Sequence, residues 1–326
     1  MIEKKINDSG VIFLNKNFIV IKNFSKLLIY NEYFEKLFDY PINPVTNHVI
    51  KSIDDTFIVF DNMLSVFVKD GIKQDEQSRY YYKYNSNCKI YTRVDDHENI
   101  EFETLDYKFK CSVSNSRKLF LKEYYIQSHY EEKCISNISL KDGKTIWQLS
   151  FSKILDDEKA SSDSDILEVN NKLYFIALGT NSGGLFCVDI NSGKVLMHYP
   201  GVSRFLVKDE NYIYSSKYEN ILCKINPVTN EMEEWDVNEL VKDNGFENIH
   251  DHRCTAYNGL VYFTQTLGDN KAKFGILDTN KKELVYKYDF EPKNGGIGSI
   301  QVNNNRIFIH TQDKTLHIFE KDKDLE

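Results

Sequence analysis

The chain has 326 residues, of which 41% are hydrophobic and 13% aromatic, and it carries 49 acidic against 41 basic side chains. A chain of this length can bury a sizeable core without disulfides or metal ions. Its net charge of −8 argues against nucleic acid and against an anionic membrane surface as partners, because both repel an acidic protein whose basic residues are not segregated.

The N-terminal segment and the cysteines indicate a compartment. Residues Met1 to Asp8 carry charges where a secretory signal needs an apolar run, and no apolar stretch approaches the roughly 20 residues that span a bilayer. The six cysteines form no C-x-x-C pair, and none lies next to another. We therefore expect a cytoplasmic protein with reduced, buried thiols.

Short apolar runs alternate along the chain with clusters of Asn, Asp, Gly and Lys, which predicts many short strands joined by polar turns. No segment shows convincing helical periodicity over about twelve residues. The predicted strands group into seven units, each of four strands except the last, which has three. These units cover residues 11–40, 49–84, 107–151, 166–199, 205–237, 254–288 and 299–319.

The unit near residues 165–200 shows the pattern most clearly. Four antiparallel strands in a stretch of this length form one meander, and units of about 46 residues are typical of propeller blades. Its predicted strands are residues 166–169, 173–178, 185–189 and 195–199, with turn-forming residues between them.

One strand–turn–strand motif occurs four times. Its copies are Ser139–Trp147, Val188–Leu196, Lys224–Met232 and Ile276–Leu284. The first two copies, which place an acidic residue or Asn before a Gly-Lys turn, resemble the repeat of quinoprotein-type (PQQ-like) β-propellers. The resemblance implies that fold but no activity, because the family includes quinone-dependent dehydrogenases and also non-catalytic scaffolds, such as an outer-membrane assembly lipoprotein.

The fold prediction is a single all-β domain over residues 1–326, a seven-bladed β-propeller of four-stranded antiparallel blades. Because the last unit lacks an outer strand, we expect the N-terminal segment Ile2 to Ile6 to pair there and close the ring, which removes unpaired edges. Residues 80–135 are ambiguous, so a ring of eight or six blades remains an alternative.

The sequence offers few candidates for catalysis or cofactor binding. The quinone-dependent relatives carry a vicinal Cys-Cys pair and a Trp in nearly every blade, whereas this chain has separated cysteines and only Trp147 and Trp235. His250 to Cys254 contains metal-ligand residue types but no fourth ligand at a diagnostic spacing. Asn294 to Ser299 is rich in glycine but precedes a strand, not the helix that a phosphate loop requires. We therefore expect no catalytic residues, no cofactor and no metal.

The feature that we favour is a set of acidic loops. Long loops on a rigid scaffold commonly carry function, and loops of like sign steer a partner of opposite charge. Solvated turns that serve only solubility are the alternative interpretation. The predicted partner-binding residues are Asp95, Asp96, Glu98, Asp156, Asp157, Glu158, Asp163, Glu247 and Asp251, assigned to the connections after the second, third and fifth units.

These features lead to three hypotheses. The first is a non-catalytic protein-binding propeller that holds a basic protein partner on its acidic loops, for example an immunity or inhibitor protein that masks a basic toxin or enzyme. The second is a propeller hydrolase or lyase with its site in the central funnel, where Glu168, Lys208 and Arg253 lie on predicted inner strands. The third is a subunit of a larger regulatory assembly.

Overall fold

The structure is a computed structural model, and some short segments lie outside what it describes. Along much of residues 48–116 it describes the course of the backbone and few side chains. The described residues are 1–14, 18–23, 25–41, 48–51, 57–61, 64–69, 72–77, 80–84, 88–93, 96–104, 108–112, 116–209, 211–249, 253–268, 271–304 and 306–320.

Strands β1 to β32 form eight four-stranded antiparallel sheets within the described ranges. Sheet 1 is β2 (Ser9–Leu14), β3 (Phe18–Asn23), β4 (Lys26–Asn31) and β5 (Lys36–Pro41), and sheet 2 is β6 (His48–Lys51), β7 (Phe57–Asp61), β8 (Leu64–Lys69) and β9 (Ile72–Gln77). Sheet 3 is β10 (Tyr80–Tyr84), β11 (Cys88–Arg93), β12 (Asp96–Thr104) and β13 (Lys108–Ser112), and sheet 4 is β14 (Ser116–Phe120), β15 (Tyr124–His129), β16 (Cys134–Ser139) and β17 (Thr145–Ser150).

The second half of the chain repeats this arrangement. Sheet 5 is β18 (Leu167–Val169), β19 (Lys172–Leu178), β20 (Gly183–Asp189) and β21 (Val195–Pro200), and sheet 6 is β22 (Val207–Lys208), β23 (Ile213–Lys217), β24 (Ile221–Ile225) and β25 (Met232–Asp236). Sheet 7 is β26 (Thr255–Tyr257), β27 (Leu260–Leu267), β28 (Lys271–Asp278) and β29 (Glu283–Asp289). The closing sheet is β30 (Ile297–Asn303), β31 (Arg306–Thr311), β32 (Leu316–Glu320) and β1 (Ile2–Ile6).

The described ranges form eight sheets, one more than the seven predicted units. The outer strand of sheet 2 is β9, whose sequence Ile-Lys-Gln-Asp-Glu-Gln is nearly all polar, and not the predicted Tyr80–Tyr84. An outer strand buries little, so its composition gives no apolar signal. Strand β10 instead begins an additional sheet, and the ambiguous region holds two sheets in place of one.

The prediction that the N-terminal segment closes the last sheet is confirmed. Strand β1 pairs antiparallel with β32 over five residue pairs, from Ile2 opposite Glu320 to Ile6 opposite Leu316. The side chains strengthen this contact, because Lys4 Nζ lies 2.8 Å from Glu320 Oε2. The first segment of the chain and the last described strand are therefore held in one sheet.

The middle strands of the sheets form the core, and the outer strands face solvent. In sheet 5, five consecutive residues of β19 are buried and so are five of β20, whereas β21 alternates between more and less exposed positions. This explains why middle strands show as continuous apolar runs in the sequence and outer strands do not.

The connections between strands lie at two opposite ends of the sheets, and strand direction decides which end each one occupies. Because neighbouring strands are antiparallel, the chain passes from one sheet to the next at the same end at which the second and third strands of a sheet join. We call this end the connection face. The turns that join the first to the second strand, and the third to the fourth, lie at the opposite end.

The outer strand of one sheet contacts the last turn of the next. Trp147 on β17 donates its indole N–H to the carbonyl of Ile190 at 2.8 Å, and its ring packs against Gly193. Gly193 has a φ of +69°, and a Cβ there would lie 2.6 Å from the Trp147 ring, so this position requires glycine. In the following pair, the Tyr199 hydroxyl donates to the carbonyl of Asn230 at 3.0 Å.

Helix contributes little to the fold. Within the described ranges, the α-helices are α1 (Phe151–Leu155) and α2 (Asn238–Asp243), and both lie in connections between sheets. Over the part of the chain that the structure describes, no helix combines the length and the apolar composition needed to cross a membrane.

Loss of the closing strand should disrupt the whole fold. Deletion of residues 1–6 exposes the edge of β32. We expect the free energy of unfolding, measured in urea, to fall by about 3 kcal/mol or more, which is more than a typical point mutation causes. A synthetic peptide of residues 1–8 should bind the truncated protein and restore its midpoint. A matched peptide with Ile6→Asp should not, because Ile6 packs on the core of sheet 1 and the closing sheet. Equal stability of the full and truncated chains would contradict the prediction.

Because the closing sheet contains a buried histidine, we expect the protein to lose stability in acid. His317 is fully buried, with its Nδ1 2.6 Å from Glu3 Oε1, and burial lowers its pKa although Glu3 partly opposes that effect. The unfolded chain takes up this proton near pH 6.5 while the folded chain resists it, so the free energy of unfolding should decrease as the pH falls below that value.

Urea unfolding at pH 7.5 and pH 5.5 measures this effect. We expect His317→Asn to be less stable than the unmodified protein at pH 7.5 but to lose less stability on acidification. His198→Asn, at an exposed position outside the closing sheet, is the matched control and should keep the full pH dependence. An unchanged pH dependence in His317→Asn would show that other groups cause the acid effect.

Candidate functional site

The connection between sheets 4 and 5 is the most acidic described segment of the connection face. It spans residues 151–166 and begins with α1, whose Phe151 is fully buried against Phe175 at a ring-centroid distance of 5.8 Å. The helix ends at Asp156, which has a left-handed φ of 50°. Further along, Ser161 and Leu178 exchange two backbone hydrogen bonds of 2.9 Å, which fix the connection to β19.

Asp157 fixes the middle of this connection. Its carboxylate accepts the backbone N–H groups of Lys159, at 2.8 Å, and of Thr180. These two donors lower the pKa of Asp157, chiefly through Thr180, so the carboxylate is ionised at neutral pH. Gly179 allows this close approach, since a Cβ there would lie 2.6 Å from Asp157 Oδ2. Asp157 is therefore a structural residue that holds the connection against the β19–β20 hairpin.

The neighbouring hairpin between β15 and β16 adds two more carboxylates. Lys133 of this hairpin donates from Nζ to the carbonyl of Glu158, and its own carbonyl accepts the N–H of Phe151 at 2.9 Å. The hairpin and the connection are thus in direct contact. We call their carboxylates the acidic cluster, which comprises Glu131, Glu132, Asp156, Asp157, Glu158, Asp163 and Asp165.

The members of the acidic cluster differ in how far they are already paired. Asp163 lies 3.1 Å from Arg117 Nε, and Asp165 lies 3.8 Å from the same guanidinium. Glu131, Asp156 and Glu158 are exposed, and no ion pair involves them among the residues that the structure describes. Residues 130–133 and 151–166 contain seven acidic and three basic side chains, so the surface is negative.

Glu247 lies in another connection of the same face, between sheets 6 and 7. The segment around it is ordered by Asn220, whose Nδ2 donates to the Glu247 carbonyl at 3.1 Å and whose Oδ1 accepts the N–H of Ile249 at 3.0 Å. The exposed carboxylate of Glu247 contacts Gln265 Nε2 at 3.4 Å. Its predicted position on the connection face agrees with the topology, but it belongs to a different connection from the acidic cluster.

The remaining predicted partner-binding residues are Asp95, Asp96, Glu98 and Asp251. The prediction that residues 95–103 form a connection between units is wrong, because Asp96 and Glu98 lie in strand β12 of sheet 3. Two later acids of that strand face β13, where Glu101 lies 2.8 Å from Lys110 and Glu103 lies 3.1 Å from Lys108. Asp95 and Asp251 lie outside the described residues.

The charged residues proposed for a funnel site make structural contacts. Lys208 Nζ donates to the carbonyl of Glu168 at 2.7 Å, which links sheets 5 and 6. The Glu168 carboxylate accepts the N–H of Asn171 at 2.9 Å in the next turn of its own sheet. Arg253 Nε donates to the carbonyl of Gly298 at 2.9 Å, across to the closing sheet.

The segment from His250 to Cys254, which contains metal-ligand residue types, is described only in part. His250, Asp251 and His252 lie outside the described residues, and Cys254 is half-buried. The cysteines whose side chains the structure describes, Cys134, Cys187, Cys223 and Cys254, form no disulfide with one another.

A groove of about 540 Å³ lies on the other end of the molecule, between sheet 7 and the closing sheet. In sheets 4 and 5, the outer strand contacts the last turn of the following sheet. The closing sheet has no such turn, because β32 and β1 are distant in sequence, and the groove lies where that turn would be. Three tyrosines line it, Tyr257, Tyr262 and Tyr286, and Arg306 lies at one wall. Arg306 is already 2.7 Å from Glu320, so the groove offers no unpaired charge on that side.

Comparison with solved structures shows a β-propeller fold. BamB from Moraxella catarrhalis matches with a TM-score of 0.62 at 11% identity, over 98% of this chain and 99% of that one. The computationally designed Ika8 protein matches at 0.61 and 12% identity, over 97% and 96% of the two chains. Sqt1 from Saccharomyces cerevisiae matches at 0.58 and 8% identity, over 97% and 100%.

At these identities the likeness shows the fold alone, and it confirms the propeller part of the predicted resemblance. No family model matches the chain, and no curated protein matches it.

The role assigned to Asp157 predicts a specific sensitivity at Gly179. Gly179→Ala forces the carboxylate away from the N–H groups of Thr180 and Lys159, and we expect the melting temperature to fall by several degrees. Gly268→Ala is the matched control, because the space around that glycine is open and its melting temperature should stay within about one degree. Equal melting temperatures for the two variants would contradict the role of Asp157.

Proposed function

We propose that this chain is a non-catalytic, protein-binding β-propeller that holds a basic protein partner against its acidic cluster. The observation that carries the proposal is the meeting of seven carboxylates on two adjacent segments of one face, with Glu131, Asp156 and Glu158 exposed and without an ion pair among the described residues. Exposed carboxylates of like sign attract a cationic protein and accelerate its association.

The way in which the cluster is anchored supports the same proposal. A binding surface gains affinity when it is ordered before the partner arrives, because little conformational entropy is then lost on binding. Asp157 and Ser161 fix the connection to sheet 5, and Lys133 fixes it to the hairpin of sheet 4. The carboxylates of Asp156 and Glu158 therefore project from a backbone that is already held in place.

The more specific version is an immunity or inhibitor protein that masks a basic toxin or enzyme in the cytoplasm. Masking requires a broad face more than a pocket, and in our proposal each of the eight sheets is one blade of a closed ring in the PQQ-like manner. The connection face is then a disc-shaped surface to which Glu247 of the sheet 6–7 connection adds a further carboxylate. The non-catalytic scaffolds of the family that the repeats resemble are consistent with such a role.

The alternative, a propeller enzyme with its site in the central funnel, receives less support. Glu168, Lys208 and Arg253 direct polar groups to backbone atoms, and general acid–base catalysis requires groups that are available to a substrate. Of the two proposals, protein binding therefore accounts better for the described side chains.

Charge reversal within the acidic cluster tests the proposal. The double variant Asp156→Lys/Glu158→Lys should lose about tenfold or more in affinity for the basic partner at low salt, with the loss largely in the association rate. The matched control is Glu123→Lys/Glu283→Lys, which makes the same charge change at exposed residues on the opposite end of the sheets and should change affinity less than about twofold.

The experiment compares basic proteins that co-purify with the tagged chain from its own source cells. Each is purified and titrated by calorimetry against the unmodified chain and both variants. A partner that the double variant loses and the control retains supports the proposal. Partners that bind all three forms equally, or no partner tighter than about millimolar, would overturn it.

A further inference from the structure

We propose that His129, Glu132 and Cys134 form a binding site for one divalent transition-metal ion of the zinc type. The three side chains belong to the hairpin between β15 and β16, and their ligand atoms all lie within 4.8 Å of one another. This site concerns the metal alone and goes beyond the proposed binding of a protein partner.

The hairpin itself brings the ligands together. His129 is the last residue of β15 and Cys134 the first residue of β16, and the two are direct partners in the strand pairing. Direct cross-strand neighbours have side chains on the same face of a sheet. The chain then turns through residues 130–133, where Lys133 has a left-handed φ of 51°, and Glu132 directs its carboxylate back to the two strand ends.

The distances are close to those that a metal requires. Glu132 Oε2 lies 4.0 Å from His129 Nδ1 and 3.7 Å from Cys134 Sγ. Tetrahedral zinc with bonds of about 2.0 Å to N and O and about 2.3 Å to S separates its ligand atoms by about 3.3 to 3.6 Å. Small side-chain rotations are therefore sufficient to close the three atoms around an ion, and a water molecule completes the fourth position.

Two of the ligands also have the supporting hydrogen bonds that metal sites use. The Nε2 atom of His129 lies 3.2 Å from Ser136 Oγ, which leaves Nδ1 toward Glu132 and Cys134. Gln148 donates from Nε2 to Cys134 Sγ at 2.9 Å, a contact that stabilises negative charge on sulfur. Such outer partners orient metal ligands and tune their basicity.

The chemistry of the ligands selects the class of ion. Nitrogen, sulfur and a single carboxylate suit zinc and cobalt, whereas magnesium and calcium require oxygen ligands throughout. A neutral imidazole such as that of His129 offers a ring-nitrogen lone pair to the metal. Cysteine binds such an ion as the thiolate, so coordination by Cys134 releases the thiol proton.

Cobalt(II) titration of the full chain tests the site, with zinc as competitor. We expect one equivalent of cobalt to bind, with d–d bands of a tetrahedral site and a near-ultraviolet thiolate-to-cobalt charge-transfer band, both removed by zinc. Cys134→Ser should abolish the charge-transfer band. Cys254→Ser, at a half-buried cysteine outside the hairpin, should retain it.

The carboxylate offers a closely matched pair of variants. Glu132→Gln and Glu131→Gln change neighbouring exposed residues of the same turn, so neither endangers folding. Glu132→Gln should weaken cobalt binding by about tenfold or more, and zinc should no longer raise its melting temperature. Glu131→Gln should behave like the unmodified protein in both measurements.

Two results would overturn the site. The first is the absence of a charge-transfer band at one equivalent of cobalt in the unmodified protein. The second is a band that persists in Cys134→Ser and disappears in Cys254→Ser, which would move the site to the segment that contains His250 and His252. Because no partner protein enters these titrations, their outcome is independent of the proposed protein-binding function.

Discussion

The pairing of β1 with β32 is the constraint on which the other sheets depend. Each meander has an innermost and an outermost strand. A row of such sheets that did not close would leave its first and last sheets uncovered, so closure is what protects both ends. Glu3 of β1 lies at the centre of this closure, with its carboxylate 2.6 Å from the buried His317 and 3.0 Å from the hydroxyl of Tyr288 in sheet 7. On the other side, the closing sheet reaches sheet 1, where Gln301 Nε2 donates to the carbonyl of Ile12 at 2.9 Å.

Closure by two distant segments has a structural consequence elsewhere. Between sheets 4 and 5, Trp147 donates a hydrogen bond to the carbonyl of Ile190 in the last turn of sheet 5. Between sheets 5 and 6, Tyr199 donates one to the carbonyl of Asn230 in the last turn of sheet 6. The closing sheet has no such turn, because its third and fourth strands come from opposite ends of the described chain. Tyr286 therefore faces a groove in place of a neighbouring turn, and this groove lies at the seam between sheet 7 and the closing sheet.

The sequence predicted the parts of the fold whose signal is apolar. The four strands of sheet 5 agree with prediction to within two residues at each end, and Ile2 to Ile6 were correctly expected to pair in the last sheet. Strand β9 was missed because its polar residues contribute no periodicity, and β11 and β12 lie in residues 85–106, between two predicted units, so the prediction had seven units where the structure has eight sheets. Outer strands are held by hydrogen bonds to the backbone of their neighbour, and a sequence does not display those bonds.

The candidate site was predictable only in part, for a related reason. The acidic character of residues 156–163 is visible in the sequence, but the hairpin with Glu131 and Glu132 joins it only through tertiary contacts such as that of Lys133 with the Glu158 carbonyl. Nothing in the sequence distinguishes Asp157, which fixes the backbone, from the exposed Asp156 beside it. The spacing of His129, Glu132 and Cys134 matches no familiar ligand pattern, and only the strand pairing reveals that they are neighbours.

The two proposals meet at the β15–β16 hairpin, and charge balance decides whether they are compatible. A divalent ion adds two positive charges, and release of the Cys134 proton returns one, so occupation makes the hairpin more positive by one charge. The two segments that form the acidic cluster contain seven acidic and three basic residues, so they remain negative with the ion in place. Glu131, Asp156 and Glu158 are not among the proposed ligands and stay available to a basic partner. Because the ion ties Glu132 to both strand ends, it would stiffen the turn that supports Glu158, so metal occupation orders the docking surface at the cost of a single unit of its charge.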